Sequence, residues 1–511
     1  GWRRFGTLYG IVAEAAVVGR PHDIKGEAVV AFQEQATPGS GVVLTTLTPL
    51  SEGPRIPLDP LGRSPRVASD PAGAAIAAWI GVDGLYAVLR GADGELTAPR
   101  RVLAVTPEQE VRRFDVATAG RTIGGGLRAV VVAIVDNTAL YSQGGRTGSV
   151  VAMRLDSGAW TGPTTLASGL RNPVDVDVAA TAAGAAAAGW GDGGQGVDGQ
   201  VATARMTSTG IWRDIAKIGS RTALDVAVSA TETGGSTIAW VQRGPGPNRL
   251  LTRTRPSIGR YSDAVQVATG QIEQVGLGSD AAGNLTMAWV KRTDTQSRLQ
   301  NATRPPVGRW SSVGVLAVTS QRIPGVALTV NQRGDAIAGW TMLDATPTAN
   351  HFTRYRRGGG AFGVRERTAS IGDGHIAGLP VVSLAHTGEA GAVLQLGVDD
   401  KTARIGATLR STAPIPTVSL LRLSSNRLVA RGVLRVRFRM SRAGAVVLAV
   451  RPAERRPAAL VVVLNGRAGV NVVPIDGGKV QLAAGKYVVS VGPTAHAADP
   501  GVASRALLRV R

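Results

Sequence analysis

The chain of 511 residues contains no cysteine. This absence excludes both a disulfide framework and any metal site built from thiolates. The sequence also lacks an apolar run of about 18 residues, so it offers no candidate for a transmembrane helix. Its five histidines are scattered, and no two of them stand at the spacing of metal ligands. We therefore predict neither a cofactor nor a metal site.

Aromatic residues are scarce, at 4%, although 44% of the residues are hydrophobic and the chain holds 67 glycines and 27 prolines. Most apolar residues are therefore small, and turn-forming residues are frequent. Stretches with a helical period are absent, whereas short alternating strands bounded by turns recur throughout. These features predict an all-β protein, and the chain length favours a repeat architecture over a single ordinary core.

One motif returns about every 50 residues, a period typical of propeller blades. Its clearest copy, residues 279–289, reads as a strand end, a tight turn at Gly283 and a strand of small residues that ends on Trp289. Side chains this small suit a strand covered on both faces, and the tryptophan would fill the space between neighbouring sheets. The equivalent positions are Phe32, Trp79, Ile134, Trp190, Trp240, Trp289, Trp340 and Leu394.

A second motif, glycine followed two residues later by an aromatic residue, comes after several of these strands. The glycine would supply the positive φ of a short hairpin turn, and the aromatic residue would begin the next strand. The copies are Gly158-Ala159-Trp160, Gly210-Ile211-Trp212, Gly259-Arg260-Tyr261, Gly308-Arg309-Trp310 and Gly360-Ala361-Phe362.

Each repeat therefore contains four strands, the size of one β-propeller blade. The last repeat lacks a fourth strand, and the start of the chain, Gly1-Trp2-Arg3-Arg4-Phe5, matches the missing one. We predict an eight-bladed β-propeller over residues 1–411, with seven blades as the alternative, closed by the N-terminal strand. In the fifth repeat the strands are predicted at residues 224–229, 237–242, 249–254 and 261–268, with a loop at 269–274.

With these repeats, residues 1–411 resemble the exported bacterial β-propellers of the sialidase-like and quinoprotein-like groups. The resemblance is one of repeat architecture, because the marks of WD40, sialidase Asp-box and kelch blades are missing. Of the 57 basic residues 51 are arginine, a bias typical of a high-GC bacterial genome. Because the sequence begins at Gly1 within a strand pattern, we expect a mature chain whose signal peptide has been removed.

Residues 412–511 differ from the repeats in charge and pattern. They hold 16 arginines and lysines against three acidic residues, in a chain whose net charge is +21. The segment from Leu482 to Tyr487 resembles the late strands of bacterial immunoglobulin-like and fibronectin-like modules, so we predict a seven-strand sandwich. Six of its strands are expected at residues 434–440, 446–451, 460–464, 470–475, 486–491 and 504–510.

Arg435, Arg437 and Arg439 alternate with apolar residues in the first of these strands. The row has three interpretations: a solvated sheet face, attachment to an anionic wall polymer or membrane surface, and binding of nucleic acid. Nucleic acid is disfavoured, because no aromatic residues stand between the arginines to stack on bases.

Catalytic chemistry finds little support in the sequence. Sialidase chemistry needs a Tyr–Glu pair, but the tyrosines stand mostly at strand or hairpin positions. Two-carboxylate hydrolysis stays open, since the pair need not be close in sequence. Asp175 and Asp177 would point to one face of a strand, which we interpret as solvated. Residues 191–199 could fold around calcium, although their glycines are also typical of a turn.

The best candidate for a ligand site is the face where the longer loops converge. The loops that lead to the first strand of each repeat supply the candidate ligand-binding residues Arg171, Arg221, Glu273, Arg322, Asp373 and His375. The same loops add Arg112 and Asn172, and the outer loops add Tyr141, Asn248 and His351. Each alone is typical of solvated surface, but together the arginines indicate an anionic or sugar-like ligand.

We therefore predict a non-catalytic recognition or scaffold protein, secreted or at the cell surface, whose partner is a glycan or an anionic cell-wall polymer. The alternative is a carbohydrate-active hydrolase or lyase with its site at the channel mouth. Two carboxylates about 5–10 Å apart at that mouth would favour the alternative.

Overall fold

The computed structural model is all-β and describes most of the chain. No described residue belongs to a helix with the length and hydropathy needed to cross a membrane. The chain divides into two compact units, one with the strands from Trp2 to Arg410 and one with those from Val418 to Val510. The described residues are 2–9, 12–18, 27–33, 41–47, 53–70, 73–122, 125–138, 147–193, 199–343, 349–358, 360–371, 381–384, 390–397, 403–410, 418–428, 432–441, 444–453, 460–476, 482–493 and 504–510.

The strands of the first unit follow each other closely. The first seventeen are β1 (Trp2–Tyr9), β2 (Val12–Val18), β3 (Glu27–Gln33), β4 (Val42–Leu47), β5 (Ile56–Asp59), β6 (Arg63–Ser69), β7 (Ala75–Gly81), β8 (Gly84–Arg90), β9 (Arg100–Ala104), β10 (Gln109–Arg121), β11 (Leu127–Asn137), β12 (Thr147–Asp156), β13 (Ala159–Arg171), β14 (Asp175–Ala180), β15 (Ala186–Asp192), β16 (Gln200–Met206) and β17 (Trp212–Gly219).

The remaining strands of this unit are β18 (Ala223–Ala230), β19 (Ser236–Gln242), β20 (Asn248–Arg255), β21 (Val265–Ser279), β22 (Leu285–Arg292), β23 (Ser297–Arg304), β24 (Gly314–Thr319), β25 (Val326–Val330), β26 (Ala336–Leu343), β27 (Ala349–Arg356), β28 (Glu366–Ile371), β29 (Val381–Leu384), β30 (Ala390–Gly397) and β31 (Ala403–Arg410).

These strands form antiparallel sheets of four consecutive members. The four-stranded sheets are β2–β5, β6–β9, β10–β13, β14–β17 and β25–β28, and β18–β24 form one sheet of seven. In that larger sheet β21 pairs with β20 through its first part and with β22 through its second. The loop predicted at residues 269–274 is therefore wrong, because hydrogen bonding to both neighbours keeps the backbone extended there.

The N-terminal strand completes the last sheet of the unit. β1 pairs antiparallel with β31, and Trp2 lies opposite Arg410. The sheet order is β1-β31-β30-β29, so the first strand of the chain is the outer strand of this sheet. This is the pairing that the sequence predicts for residues 1–5.

The first strands of the sheets lie innermost. Contacts join β2 to β6, β6 to β10, β10 to β14, β14 to β18, β18 to β21, β21 to β25 and β25 to β29, and β29 also contacts β2. Four-stranded sheets arranged radially around their first strands are the architecture of a β-propeller.

The second strand is almost wholly buried on both faces in the sheets whose side-chain burial is described, as its small residues predict. Every residue of β15 is buried, and Trp190 at its end packs against Val132 and Ile134 of the preceding sheet. Trp240, Trp289 and Trp340 are equally buried and pack in the same way. A Cβ on Gly189 would lie 2.8 Å from Val228 Cγ2 of the following sheet, which explains glycine at that position.

The turn between the first and second strands repeats one geometry. In the β18–β19 turn Thr231 N donates to Gly235 O at 2.9 Å, and Gly235 N donates to Thr231 Oγ1 at 3.0 Å. Gly234 has φ +84°, a value that favours glycine.

The second motif also has positive φ at its glycine in four copies, but only Trp160 and Trp212 lie in the following strand.

Tyr261, Trp310 and Phe362 instead precede β21, β24 and β28. Their rings serve contacts between sheets: the Tyr261 hydroxyl lies 3.2 Å from Thr203 Oγ1 of the preceding sheet and 2.9 Å from Ser236 Oγ. The strand predicted to begin at Tyr261 therefore begins at Val265, because the aromatic ring is used for packing before pairing resumes.

The second unit has two sheets around a common core. Its strands are β32 (Val418–Leu423), β33 (Arg427–Leu428), β34 (Val433–Met440), β35 (Gly444–Pro452), β36 (Leu460–Gly466), β37 (Gly469–Asp476), β38 (Gly485–Pro493) and β39 (Ser504–Val510). One sheet has the order β32-β34-β37 and the other β33-β39-β38-β35-β36. Val436 and Phe438 pack in one core with Leu448, Val489 and Leu508, whereas Arg435, Arg437 and Arg439 are exposed.

Candidate functional site

Charged side chains occur in two settings in the propeller, and the first is the ring of inner strands. Asp175 of β14 accepts a hydrogen bond from Val226 N of β18 at 3.0 Å. Asp225 of β18 accepts one from Val275 N of β21 at 2.8 Å. Asp115 of β10 and Asp177 of β14 accept bonds from the next sheets in the same way. These carboxylates therefore connect four successive inner strands.

The inner carboxylates also contact one another. Burial raises the pKa of Asp177 well above its usual value, and the charge of Asp115 and a hydrogen bond with that carboxylate raise it further. Burial likewise raises the pKa of Asp225, together with the charge of Asp175 and a hydrogen bond to it. In both cases burial is the larger cause, and the nearby carboxylate adds to it because a second negative charge is disfavoured there.

The prediction of a solvated face for Asp175 and Asp177 is therefore wrong. Asp175 is 3% exposed and forms an ion pair with Arg113, Nε to Oδ1, at 3.0 Å. The side chain of Asp177 is partly exposed on the inner side. Asp115, Asp175 and Arg66 of the inner strands nevertheless lie around it. Both carboxylates are therefore already bonded to neighbouring sheets.

Arginines of the third strands connect sheets in a similar way. Arg154 Nη1 donates to Thr209 O of the next sheet at 2.9 Å, and Arg205 Nη1 donates to Gly234 O at 3.1 Å. Arg356 Nη2 reaches back to Thr286 Oγ1 at 2.6 Å. The planar guanidinium suits such directed bonds. These three arginines therefore have a structural role.

The second setting is a groove of about 690 Å³ that crosses three successive sheets. Arg171 enters it from the end of β13, Asp192 and Gln200 from β15 and β16, Lys217 from β17, and Arg253 from β20. Asp192 and Gln200 face each other across the β15–β16 ladder, and Gln200 Nε2 donates to Asp192 Oδ2 at 3.4 Å. The volume is in the range typical of ligand pockets.

The cations of this groove differ from the inner ones, because they are not paired. Among the described residues, no ion pair or side-chain hydrogen bond involves Arg171, Lys217 or Arg253. Arg171 and Lys217 are exposed, while Arg253 Nε is shielded from solvent and has no acceptor in the described structure. A shielded donor without an acceptor is costly unless a ligand supplies one.

Asp192 is the one acidic residue among the described residues that line the groove. Burial raises its pKa, while Gln200, the neighbouring backbone amides and the charge of Lys217 oppose that rise. The groove therefore combines three cations, one carboxyl group with a raised pKa and an amide. It can bind an anion and donate hydrogen bonds to hydroxyl groups beside it.

The predicted site residues are spread over the loop face. Arg171 lines the groove, and Arg221 is exposed next to it but does not line it. Arg322 is exposed in another sheet, where its carbonyl accepts from Leu343 N at 2.9 Å. Glu273 lies in β21 at an irregularity of the ladder. Asp373 and His375 lie outside the described residues.

Several other expected ligand residues have structural partners instead. Arg112 Nη1 donates to Asn172 Oδ1 at 3.2 Å, and Asn248 Nδ2 donates to Ile272 O at 2.8 Å. His351 is fully buried, with Nδ1 2.8 Å from Thr341 Oγ1, and burial lowers its pKa to about 4. Tyr141 lies outside the described residues, and so do residues 194–198 of the glycine-rich segment 191–199.

Lys217 and Arg253 are the binding candidates that the sequence did not single out. Both lie within strands, where alternation indicates only which face they occupy. Their proximity to Arg171 depends on the packing of three sheets, which no local pattern encodes. The only available signal was the rarity of lysine in this chain.

Comparison with known proteins yields no family assignment. No family model and no curated protein matches the chain. Among solved structures, the fucoside-bound lectin of Aleuria aurantia is similar with 14% identity and a TM-score of 0.35, over 61% of this chain and 95% of the lectin.

Two polysaccharide lyases are also similar. Uly1 has 9% identity and a TM-score of 0.37, over 66% of this chain and 88% of its own. A PL25 ulvan lyase has 11% identity and a TM-score of 0.40, over 79% and 95%. At these identities the likeness concerns fold and carries no information on a ligand.

Proposed function

We propose that the propeller binds an acidic glycan in the groove of Arg171, Lys217 and Arg253, without catalysis. The observation that carries this proposal is the gathering of three unpaired cations from three sheets into one groove. Carboxylate or sulfate groups of a polysaccharide would accept from the guanidinium forks, and Gln200 would donate to sugar hydroxyls.

The architecture that we propose for this function is an eight-bladed ring over residues 1–411 with an immunoglobulin-like sandwich at 412–511. The return of contacts from β29 to β2 supports eight blades, with β21 contributing to two of them. The two-sheet core supports the sandwich. We further propose a bacterial protein, secreted or held at the cell surface, where acidic wall polymers occur.

Chemical modification of lysines tests the proposed site directly. Sulfated dextran oligosaccharides should slow the acetylation of Lys217 severalfold, as measured by peptide mass spectrometry, and neutral dextran of equal length should not. Lys291, a partly buried lysine outside the groove, serves as the internal control. The protection should weaken as salt is raised, because exposed charges are screened beyond ~8 Å at physiological ionic strength.

Arg171→Gln should remove most of this protection, and Arg221→Gln should leave it intact. Arg221 is an exposed arginine close by that does not line the groove, so it controls for net charge. Equal modification of Lys217 with and without sulfated dextran would refute the site, as would equal effects of the two substitutions.

A hydrolase or lyase is the competing function. The raised pKa of Asp177, on the inner side, is suited to a general acid. Its carboxylate accepts from Val228 N and pairs with Asp115, however, so it already serves the contact between sheets. Release of reducing ends from an acidic polysaccharide, lost in Asp177→Asn, would favour the enzyme.

A further inference from the structure

The register of the strands places a second groove at the position equivalent to the first. Asp192 and Gln200 face each other across β15 and β16, and Met342 and Asn350 face each other across β26 and β27. Lys217 lies opposite Ala202, and Arg367 lies opposite Phe352. Each residue of the second set follows its counterpart by 150 residues, which is three repeats.

This second groove has a volume of about 660 Å³, close to that of the first. Gln321, Asn350 and Phe352 line it together with Arg365 and Arg367. Gln321 stands at the position of Arg171, again with an offset of 150 residues. The repeat has therefore preserved the shape of the groove while its side chains have changed.

The side-chain changes redistribute the charge without increasing it, because the first lining holds three cations and one acid and the second holds two cations and no acid among the described residues. Met342 replaces the carboxylate of Asp192, Gln321 replaces Arg171, and no acidic residue lines this groove among those that the structure describes. Arg367 replaces Lys217, and Arg365 follows by 150 residues the neutral Ile215, which does not line the first groove. Among the described residues, neither arginine has an acidic partner.

An aromatic wall distinguishes this groove further. The Arg365 guanidinium lies over the Phe352 ring, 4.6 Å from its centroid, and Phe352 stacks on the buried Trp340 at 5.9 Å. This contact holds one cation in place, because the ring attracts the guanidinium while leaving its N–H groups free at the edge. A fixed cation beside a partly exposed ring suits an anionic sugar.

We propose that the groove of Arg365 and Arg367 is a second binding site for acidic glycan, so that one chain binds two segments of polymer. This proposal rests on the proposed function of the first groove. Two sites on one rigid ring increase the apparent affinity for a polymer long enough to reach both, by about 10²–10⁴ in favourable geometry. A short oligosaccharide gains nothing from the second site.

Calorimetry with a short sulfated dextran oligosaccharide measures the number of sites. The wild-type chain should bind about two equivalents. Arg365→Gln with Arg367→Gln should bind about one, and Arg171→Gln with Lys217→Gln should also bind about one. Arg322→Gln removes an exposed arginine near the second groove that does not line it, and it should still bind two.

Arg367→Gln alone serves as the second variant, because it leaves the contact of Arg365 with Phe352 in place. It should weaken one of the two sites without changing the thermal midpoint. One equivalent in the wild type, abolished by Arg171→Gln with Lys217→Gln, would overturn the second site and leave the first. Two equivalents retained after loss of Arg365 and Arg367 would also overturn it, and no binding at all would overturn both proposals.

Discussion

The inner strands and the groove both collect charged side chains, but they use them differently. On the inner strands each acid meets a backbone amide of the next sheet and another charged group, as Asp175 does with Val226 N and Arg113. In the groove, the side chains of Arg171 and Lys217 form no ion pair within 4.0 Å among the described residues, although the charge of Lys217 acts on Asp192. The comparison shows that a charged side chain alone does not indicate a binding site. A charged side chain without an ion-pair partner does.

Removal of Asp175 should have the largest effect on stability. Asp175→Ala leaves the amide of Val226 without an acceptor and Arg113 without its acid, so the free energy of unfolding should fall by about 1–3 kcal/mol. Urea denaturation measures the change. Asp263→Ala, which removes an exposed carboxylate, should change it by less than ~0.5 kcal/mol. Similar losses in both variants would break the distinction between the two settings.

His351 tests whether the interior is kept uncharged. Its folded pKa of about 4 lies below the ordinary value of 6.5, so the neutral form stabilises the fold fully above pH 6.5. This contribution is lost as the pH falls toward 4 and amounts to about 3 kcal/mol. In His351→Gln, which keeps a hydrogen-bonding side chain but does not titrate, the fall in stability from pH 7 to pH 4 should be smaller by that amount. Parallel pH curves would contradict a buried neutral imidazole.

The raised pKa of Asp177 should act in the opposite direction. The pKa of Asp177 is raised in the folded chain, so between the ordinary aspartate value and the raised one the folded state holds a proton that the unfolded state has lost. Stability should fall with rising pH in that window, by up to ~1.4 kcal/mol per pH unit for one proton. Asp177→Asn removes this titrating group. The stability of the variant relative to the wild type should therefore increase as the pH rises from 4 to 8, as measured by thermal melts.

Substitutions in the groove should have the smallest effect on stability. Arg171 and Lys217 are exposed, so replacing both with glutamine should change the free energy of unfolding by less than ~0.5 kcal/mol. Differential scanning calorimetry of the double variant measures this, with Arg221→Gln as the matched control. A loss as large as that of Asp175→Ala would assign the groove a structural role.

The sequence predicts the parts of this fold that a repeat encodes locally. Trp190, Trp240 and Trp340 recur because each fills the same space between sheets, and Gly234 recurs because its turn requires positive φ. In the fifth repeat, the predicted strand bounds differ from the observed ones only at residues 261–274, where Tyr261 packs between sheets.

The candidate site was harder to predict, for physical reasons. The partner of Asp175 lies 51 residues away, and its role depends on which sheet packs next. The groove likewise joins residues of three sheets. Arg171 was found because it lies in a loop region, whereas Lys217 and Arg253 were missed because strand positions give no indication of what faces them across a sheet boundary.

Protection of Lys217 by sulfated dextran, compared in Asp175→Ala and Arg171→Gln, tests the central claim most directly. Both variants would be measured at a temperature where circular dichroism shows them folded. The account predicts that Asp175→Ala, though less stable, keeps the protection, whereas Arg171→Gln keeps its stability and loses the protection. The reverse pattern, or loss of protection in both, would contradict the division between charges that hold the ring together and charges that bind.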